Sequence, residues 1–142
     1  MNNIIETVSG HMIDVLDPDF TNLEIDDIAW ALSRISRFCG HTVTSVPYNV
    51  AQHSLFVAKM ISADKKEPIL SLFGLLHDAA EAFIGDIPSP VKHIPGLHET
   101  VAKIEDNLLE KIYLKFAKRP PTEKEWGIVK YYDKKAQFIE AH

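Results

Sequence analysis

The sequence predicts an all-α fold, a compact bundle of about five to six helices preceded by a short extended N-terminal strap. Three observations support this class: apolar residues recur at helical spacing, capping residues open several of these segments, and prolines stand between them. The 142 residues, 46% hydrophobic and 25% charged, match one globular domain. We therefore expect a single domain over residues 1–142.

The N-terminal part is the least helical. Residues 4–20 hold β-branched residues around a Ser-Gly pair, which is typical of a small hairpin or an extended strap. The first helix is predicted over residues 24–38, because its first turn is acidic and its apolar residues share one side. Arg34 and Arg37 are then expected in its last turn.

The next two helices have clear start signals. A helix over residues 50–61 follows Asn49 and Gln52, which have the spacing of a capping box. A third helix is predicted over residues 68–85, with a proline at its start and a glycine at its end. Its body, ILSLFGLL, is almost uniformly apolar, which predicts a buried helix.

The last two helices are amphipathic. The fourth is predicted over residues 98–118, with charged residues opposite an apolar side. The fifth opens with Thr122 and Glu125 as a capping box and runs through Ile139. Asp133 falls on the apolar stripe of this helix, where a carboxylate is unexpected.

Composition excludes several classes of protein. No apolar stretch is long enough to cross a bilayer, and the first residues lack the pattern of a signal peptide, so we expect a cytoplasmic protein without a membrane partner. A net charge of −5 argues against binding a nucleic acid polymer. The single cysteine, Cys39, excludes an intramolecular disulfide and a thiolate-rich zinc site.

The stretch LLHDAAEAFIGDIPSPVK crowds polar groups onto an apolar segment. His77, Asp78 and Glu81 lie within about one helical turn, and Asp86 follows. A buried carboxylate is unfavourable by several kcal/mol unless it is paired or ligates a metal. Taken alone, His77 could be a core histidine bonded to a backbone carbonyl, and Glu81 and Asp86 could form a solvated helix end.

Two other helices carry similar residues at apolar positions. His53 lies in the first turn of the second helix, and Asp133 lies in the fifth, where pairing with neighbouring lysines is the simpler alternative. Taken together, however, three helices each place imidazole or carboxylate groups where apolar residues belong. A divalent transition metal such as Mn, Co, Zn, Fe or Ni, with mixed imidazole and carboxylate ligands, explains the whole pattern.

This pattern resembles the H…HD…D signature of the HD-domain metal-dependent phosphohydrolases. The strings SRISRFCGHT, PYNVAQHS and LLHDAAEAFIGDIPSPVK look like the branch that includes bacterial 5'-deoxynucleotidases and phage dATP triphosphohydrolases. The resemblance covers residues 10–136 and implies an all-helical HD domain that acts on deoxynucleotides. For a phage-encoded protein, it implies the host cytoplasm as the location.

The resemblance also implies roles for the polar residues. The catalytic metal would be held by His53, His77, Asp78 and Asp133. Asp78 would bridge to a second divalent ion if one binds. Glu81 and Asp86 become the catalytic carboxylates, with Glu81 activating the attacking water and Asp86 positioning it or protonating the leaving oxygen; the division between them stays open.

Four residues are implied as substrate contacts. Arg37 matches a phosphate-contacting arginine, and Phe38 stands where an aromatic ring flanks the nucleoside. Arg34 either shares the phosphate contact or caps the helix end, where a cation is favourable. Lys92 resembles a second phosphate contact, although a solvent-exposed lysine needs no function.

Two substrates are consistent with the resemblance. The protein would hydrolyse dATP to deoxyadenosine and triphosphate, or a deoxynucleoside monophosphate to deoxynucleoside and phosphate. The compact size and the string SRISRFCGHT resemble phage members more closely, which slightly favours dATP. The alternative is a non-catalytic metal- or nucleotide-sensing HD module, which would not need Glu81 and Asp86. Large apolar helices in a short chain also favour a homo-oligomer.

Overall fold

The computed structural model describes residues 3–142, and it is mostly helical. A small antiparallel hairpin precedes a series of helices: β1 (Ile4–Glu6), β2 (Met12–Asp14), α1 (Ile25–Leu32), α2 (Val50–Lys65), α3 (Pro68–Leu76), α4 (Glu81–Ile84), α5 (Ser89–Lys92), α6 (Leu97–Phe116) and α7 (Glu123–Glu140). The predicted all-α bundle with a short extended N-terminal strap is therefore confirmed. None of the helices in residues 3–142 is long and apolar enough to span a membrane.

The hairpin is joined to the bundle by a buried carboxylate. Ile5 pairs with Ile13 at the centre of the two strands, and Gly10 adopts φ +89° in the connecting turn, a conformation that glycine reaches without strain. Ser9 Oγ in this turn donates a hydrogen bond to Asp27 Oδ2 of α1, at 2.5 Å. Asp27 is buried, so the turn covers the first turn of α1.

Helices α2, α3, α6 and α7 surround the core. Helix α3 contacts each of the other three, and fully buried side chains fill the space between them: Val57, Ile61, Phe73, Leu108, Ile112 and Val129. The approach of α3 to α2 depends on Gly74, since a Cβ atom there would lie 2.6 Å from Ile61 Cδ1. This close packing brings the polar residues of α2 and α3 together.

The first helix is shorter than predicted. It ends at Leu32, so Arg34 and Arg37 lie beyond it and not in its last turn. The chain is extended instead: Ser36 forms an antiparallel bridge with Asn49, and the amide of Arg37 donates to the Tyr48 carbonyl at 2.8 Å. Pairing with this distant segment outweighs the local preference for continuing the helix.

The third helix is interrupted where the polar residues begin. Helix α3 ends at Leu76, and residues 77–80 form tight turns before α4. The Gly74 carbonyl, which would accept from the amide of Asp78 in a continuing helix, accepts from His77 Nδ1 at 2.6 Å. The prediction of one helix over residues 68–85 is therefore wrong. The short helix α5 was not predicted.

Other boundaries agree with the sequence. The capping box of Asn49 and Gln52 is present, and so is that of Thr122 and Glu125. Helix α2 continues past its predicted end to Lys65, and Lys66 terminates it in the left-handed conformation. The sequence signals for the starts of helices were thus more accurate than the signals for their ends.

We expect the Asp27→Ala substitution to lower the free energy of unfolding by about 1–3 kcal/mol at pH 7, because Ser9 loses its buried acceptor. Burial alone would raise the pKa of Asp27, but hydrogen bonds from Ser9 and Thr7 hold that pKa below its usual value. The stabilisation is therefore present above the unfolded-state pKa of about 3.9 and is lost as the pH falls through the folded-state pKa.

Urea unfolding of wild type and variant between pH 7 and pH 3 would measure this difference. The matched control is Asp26→Ala, which removes an exposed carboxylate from the same first turn of α1. Equal losses in the two variants would show that the effect comes from the helix terminus and not from the contact with Ser9.

Candidate metal centre

Three helices bring together the four residues predicted as metal ligands. His53 lies in the first turn of α2, His77 and Asp78 follow the last residue of α3, and Asp133 lies in the middle of α7. Helices α2, α3 and α7 contact one another in every pairing. His53, His77 and Asp133 are buried, and the Asp78 side chain is 22% exposed, so the cluster opens to solvent on the Asp78 side.

The donor atoms of these residues converge. His53 Nε2, His77 Nε2, Asp78 Oδ2 and Asp133 Oδ1 all lie within 4.8 Å of one another. His53 Nε2 is 2.9 Å from Asp133 Oδ1, and His77 Nε2 is 3.2 Å from Asp78 Oδ2. Adjacent ligands of a cation with bonds of about 2.1 Å stand about 3.0–3.4 Å apart. The spacing therefore fits one divalent ion.

Both imidazole rings present Nε2 to the centre of the cluster. His77 Nδ1 lies 2.6 Å from the Gly74 carbonyl, which can only accept, so this nitrogen carries the proton. His53 Nδ1 lies 2.7 Å from a carboxylate oxygen of Glu140 and donates in the same way. Both rings therefore direct Nε2 at the cluster, where a cation would take the place of the proton that this nitrogen donates to Asp133.

The electrostatics of the cluster favour positive charge. Burial would lower the pKa of His77, but Asp78 and Asp133 raise it to about 10. Burial would raise the pKa of Asp133, but hydrogen bonds from His53 and His77 hold it far below its usual value. Lys130 Nζ lies 3.2 Å from Asp133 Oδ2, so the predicted lysine pairing occurs as well. Lys130 contacts Oδ2 of Asp133, whereas the histidines contact Oδ1.

Glu81 lies next to this cluster, at the start of α4. Its side chain is buried, and within residues 3–142 its Oε2 atom has no hydrogen-bond partner. Burial, Asp78 and Asp86 together raise the pKa of Glu81 to about 10. Asp86 is half-buried in the segment that follows α4. Glu81 therefore holds a proton at neutral pH.

Arg37 reaches the same cluster from the extended segment after α1. It is only 6% exposed, and its Nη1 lies 3.8 Å from Asp78 Oδ2. The Phe38 ring lies beside the guanidinium, 5.3 Å from Cζ. Phe38 and Cys39 adopt φ angles of 55° and 51°, a conformation that is unfavourable for residues other than glycine. The structure thus places the guanidinium group of Arg37 beside the predicted metal ligands, with the Phe38 ring next to it.

Arg34 and Lys92 have other contacts. The guanidinium of Arg34 stacks on Trp30 at 3.3 Å from the ring centroid and donates to the Trp30 carbonyl, which is the capping geometry. Lys92 Nζ lies 2.8 Å from Glu105 Oε1 of α6. Burial lowers the pKa of Lys92, but Glu105, Glu81 and Asp78 raise it above its usual value. Contact of either residue with substrate stays a prediction.

Sequence analysis missed Glu140 in the last turn of α7. Both of its carboxylate oxygens lie within 3 Å of His53 Nδ1, and its Oε1 atom lies 3.6 Å from Arg37 Nη2. One signal was present: Glu140 follows Asp133 by two helical turns and so shares its side of the helix. An acidic residue in a last turn is also unfavourable with respect to the helix dipole.

The order of these ligands along the chain is that of the HD-domain phosphohydrolases, and the comparison with known proteins agrees. A family model described as YfbR-like 5'-deoxynucleotidase matches residues 28–142. The chain belongs to this family. The matched range includes all four predicted metal ligands and both predicted catalytic carboxylates.

Three individual proteins are also similar in sequence to this chain. An uncharacterized protein of Rhodobacter capsulatus is 35% identical over 113 residues, which covers 77% of this chain and 56% of that protein. The uncharacterized Escherichia coli protein YfdR is 35% identical over 112 residues, which covers 77% of this chain and 58% of that protein. The chain thus spans a little over half the length of these two relatives. A 5'-deoxynucleotidase of Photobacterium profundum is 33% identical over 69 residues, or 40% of this chain.

We expect the protein to bind one divalent ion in this cluster and His77→Ala to lose it, because the ring supplies a donor that no neighbouring group replaces. At a free Mn²⁺ concentration one hundred times the dissociation constant, binding should add about 2.7 kcal/mol to the free energy of unfolding. Calorimetric titration and metal analysis after gel filtration would measure both effects. The control is His93→Ala, an exposed histidine after α5; similar metal content in the two variants would contradict this assignment.

Proposed function

We propose that this protein is a metal-dependent 5'-deoxynucleotidase, which hydrolyses a deoxynucleoside 5'-monophosphate to a deoxynucleoside and inorganic phosphate. The observation that carries this proposal is the convergence of four donor atoms that fit a metal ion beside the buried carboxyl group of Glu81. Family membership supports the same activity, since a 5'-deoxynucleotidase gives the family its description.

The residues divide the chemistry between them. A divalent ion in the cluster would supply positive charge for the phosphoryl oxygens and a water of lowered pKa. Of the two carboxyl groups, Glu81 and Asp86, one accepts the proton of the attacking water while the other gives a proton to the leaving O5' atom. As water attacks phosphorus, the P–O5' bond breaks and the phosphate leaves with the new oxygen.

The cations near the cluster would bind the phosphate. Arg37 is held beside Asp78, and its buried Nε atom has no partner within the described residues. A guanidinium can donate two parallel hydrogen bonds to a phosphate. Lys92 approaches from α5 on the side of Glu81. Phe38, next to Arg37, would contact the nucleoside.

Charge favours a monophosphate over the triphosphate that the sequence also suggested. A monophosphate brings about two negative charges and a triphosphate about four. Arg37 contacts Asp78 and Glu140, and Lys92 contacts Glu105, so each of these cations is already partly neutralised. A site with so little free positive charge suits the smaller anion.

We expect the wild-type protein with Mn²⁺ or Co²⁺ to release inorganic phosphate from deoxynucleoside monophosphates. Tripolyphosphate released from dATP would instead identify a triphosphohydrolase. The Glu81→Gln substitution should reduce kcat by about 10²–10⁴-fold, because an amide can neither accept nor give up the proton that Glu81 would transfer, without weakening metal binding. The matched control is Glu110→Gln, at an exposed position of α6.

Product separation by ion exchange, with metal content measured in parallel, would decide this prediction. Wild-type turnover in Glu81→Gln would rule out the proposed role of the carboxyl pair. A metal-loaded wild-type protein that binds deoxynucleotides without cleaving any of them would indicate the sensing module.

We expect Arg37→Ala to reduce kcat/KM by about 10–100-fold, since a hydrogen bond to a charged group contributes about 1.5–3 kcal/mol. Arg34→Ala tests the other arginine that the sequence suggested, and Lys103→Ala, at an exposed position of α6, is the control for removal of a surface cation. Initial rates with a deoxynucleoside monophosphate would measure all three. A larger loss for Arg34→Ala than for Arg37→Ala would reverse the assignment.

A further inference from the structure

Glu140 is the one carboxylate at the site to which the proposed chemistry gives no role. Its side chain is 3% exposed, so it is shielded from solvent as fully as the metal ligands. Burial of a carboxylate is costly unless partners compensate, and helix α7 carries no basic residue in its last turn. The partners of Glu140 are therefore on other parts of the chain: two are residues of the site, and the third is the hydroxyl group of Tyr48, which donates a hydrogen bond to Glu140.

The first partner is His53. Its Nδ1 atom lies 2.7 and 2.9 Å from the two carboxylate oxygens of Glu140, while its Nε2 atom lies 2.9 Å from Asp133 Oδ1. A hydrogen bond to Glu140 keeps a proton on Nδ1 and so leaves Nε2 as the nitrogen that faces the cluster and could bind a cation. His77 is fixed by a backbone carbonyl instead, so only His53 depends on a side chain for its orientation.

The second partner is Arg37, which lies between two carboxylates. Its Nη2 atom is 3.6 Å from Glu140 Oε1, and its Nη1 atom is 3.8 Å from Asp78 Oδ2. Without Glu140, the nearest anion for this guanidinium would be Asp78. A bound metal ion would need the same Asp78 oxygen as a ligand. Glu140 thus holds Arg37 near Asp78 without letting it replace a bound ion.

We propose that Glu140 is a positioning residue of the metal centre, which orients His53 for cation binding and keeps Arg37 from competing for Asp78. It touches neither the cation nor the substrate. The orientation of His53 does not depend on the proposed nucleotidase activity, whereas the contribution of Arg37 to catalysis rests on it.

Metal affinity tests the orientation of His53 without any turnover. We expect Glu140→Ala to weaken Zn²⁺ binding by about 10–100-fold, the usual effect of removing a carboxylate behind a metal-binding histidine. Glu140→Gln should weaken it less, because the amide oxygen can still accept from Nδ1. The control is Glu123→Gln, which makes the same substitution at an exposed position of α7, and competition titration with a chromophoric chelator would measure all four proteins.

A spectroscopic measurement separates orientation from general stability. In Zn²⁺-loaded protein labelled with ¹⁵N-histidine, long-range ¹H–¹⁵N spectra report which ring nitrogen carries the proton. We expect His53 to be protonated at Nδ1 in wild type and Glu140→Gln, and to give an exchange-broadened or shifted signal in Glu140→Ala. The signals of His77 should not change.

Several outcomes would overturn the proposal. Wild-type zinc affinity in Glu140→Ala would do so, as would an equal loss in Glu123→Gln or an unchanged His53 spectrum. If Glu140→Ala does not fold, Glu140→Asp replaces it, since aspartate keeps the charge but is too short to reach Nδ1; wild-type affinity and spectrum in that variant would also refute the role. A protein that binds zinc as expected but hydrolyses no deoxynucleotide would refute the proposed function and leave the role of Glu140 intact.

Discussion

The structure depends on the interaction between two buried histidines and the carboxylates of Asp78 and Asp133. These groups occupy the junction of α2, α3 and α7, where apolar side chains would otherwise complete the core. Desolvated carboxylates are tolerated there because the imidazoles contact them at 2.9–3.2 Å.

The departures from regular structure occur where they serve this junction. Helix α3 stops at Leu76, and the following turns direct Asp78 toward the histidines and place Glu81 behind it. Helix α1 ends early, so that Arg37 can lie against α7 rather than on a helix surface. Phe38 and Cys39 are strained at the same place. Local preference is overruled at functional sites when tertiary contacts compensate for it.

This pattern explains what the sequence could predict. His53, His77, Asp78 and Asp133 were visible because each is a polar residue at an apolar helical position. The capping boxes of α2 and α7 could be predicted because each one joins two residues only three positions apart in the sequence. The end of α1 depends on pairing with residues 48–50, and the break after Leu76 coincides with the hydrogen bond that the His77 side chain donates to the Gly74 carbonyl. Glu140 was missed because its partner His53 is 87 residues away in the sequence.

The arrangement of charge also explains how such a site can discriminate between anions. Arg37 and Lys92 are held against Glu140, Asp78 and Glu105 before any substrate arrives. In the proposed function, a phosphate would therefore compete with internal carboxylates for each cation, and it would gain from that exchange only where a metal ion adds its own charge. An anion that extends beyond the metal meets paired cations and gains less from each further negative charge. The internal ion pairs thus limit how much anionic charge the site stabilises, and a compact dianion suits that limit better than a long polyphosphate.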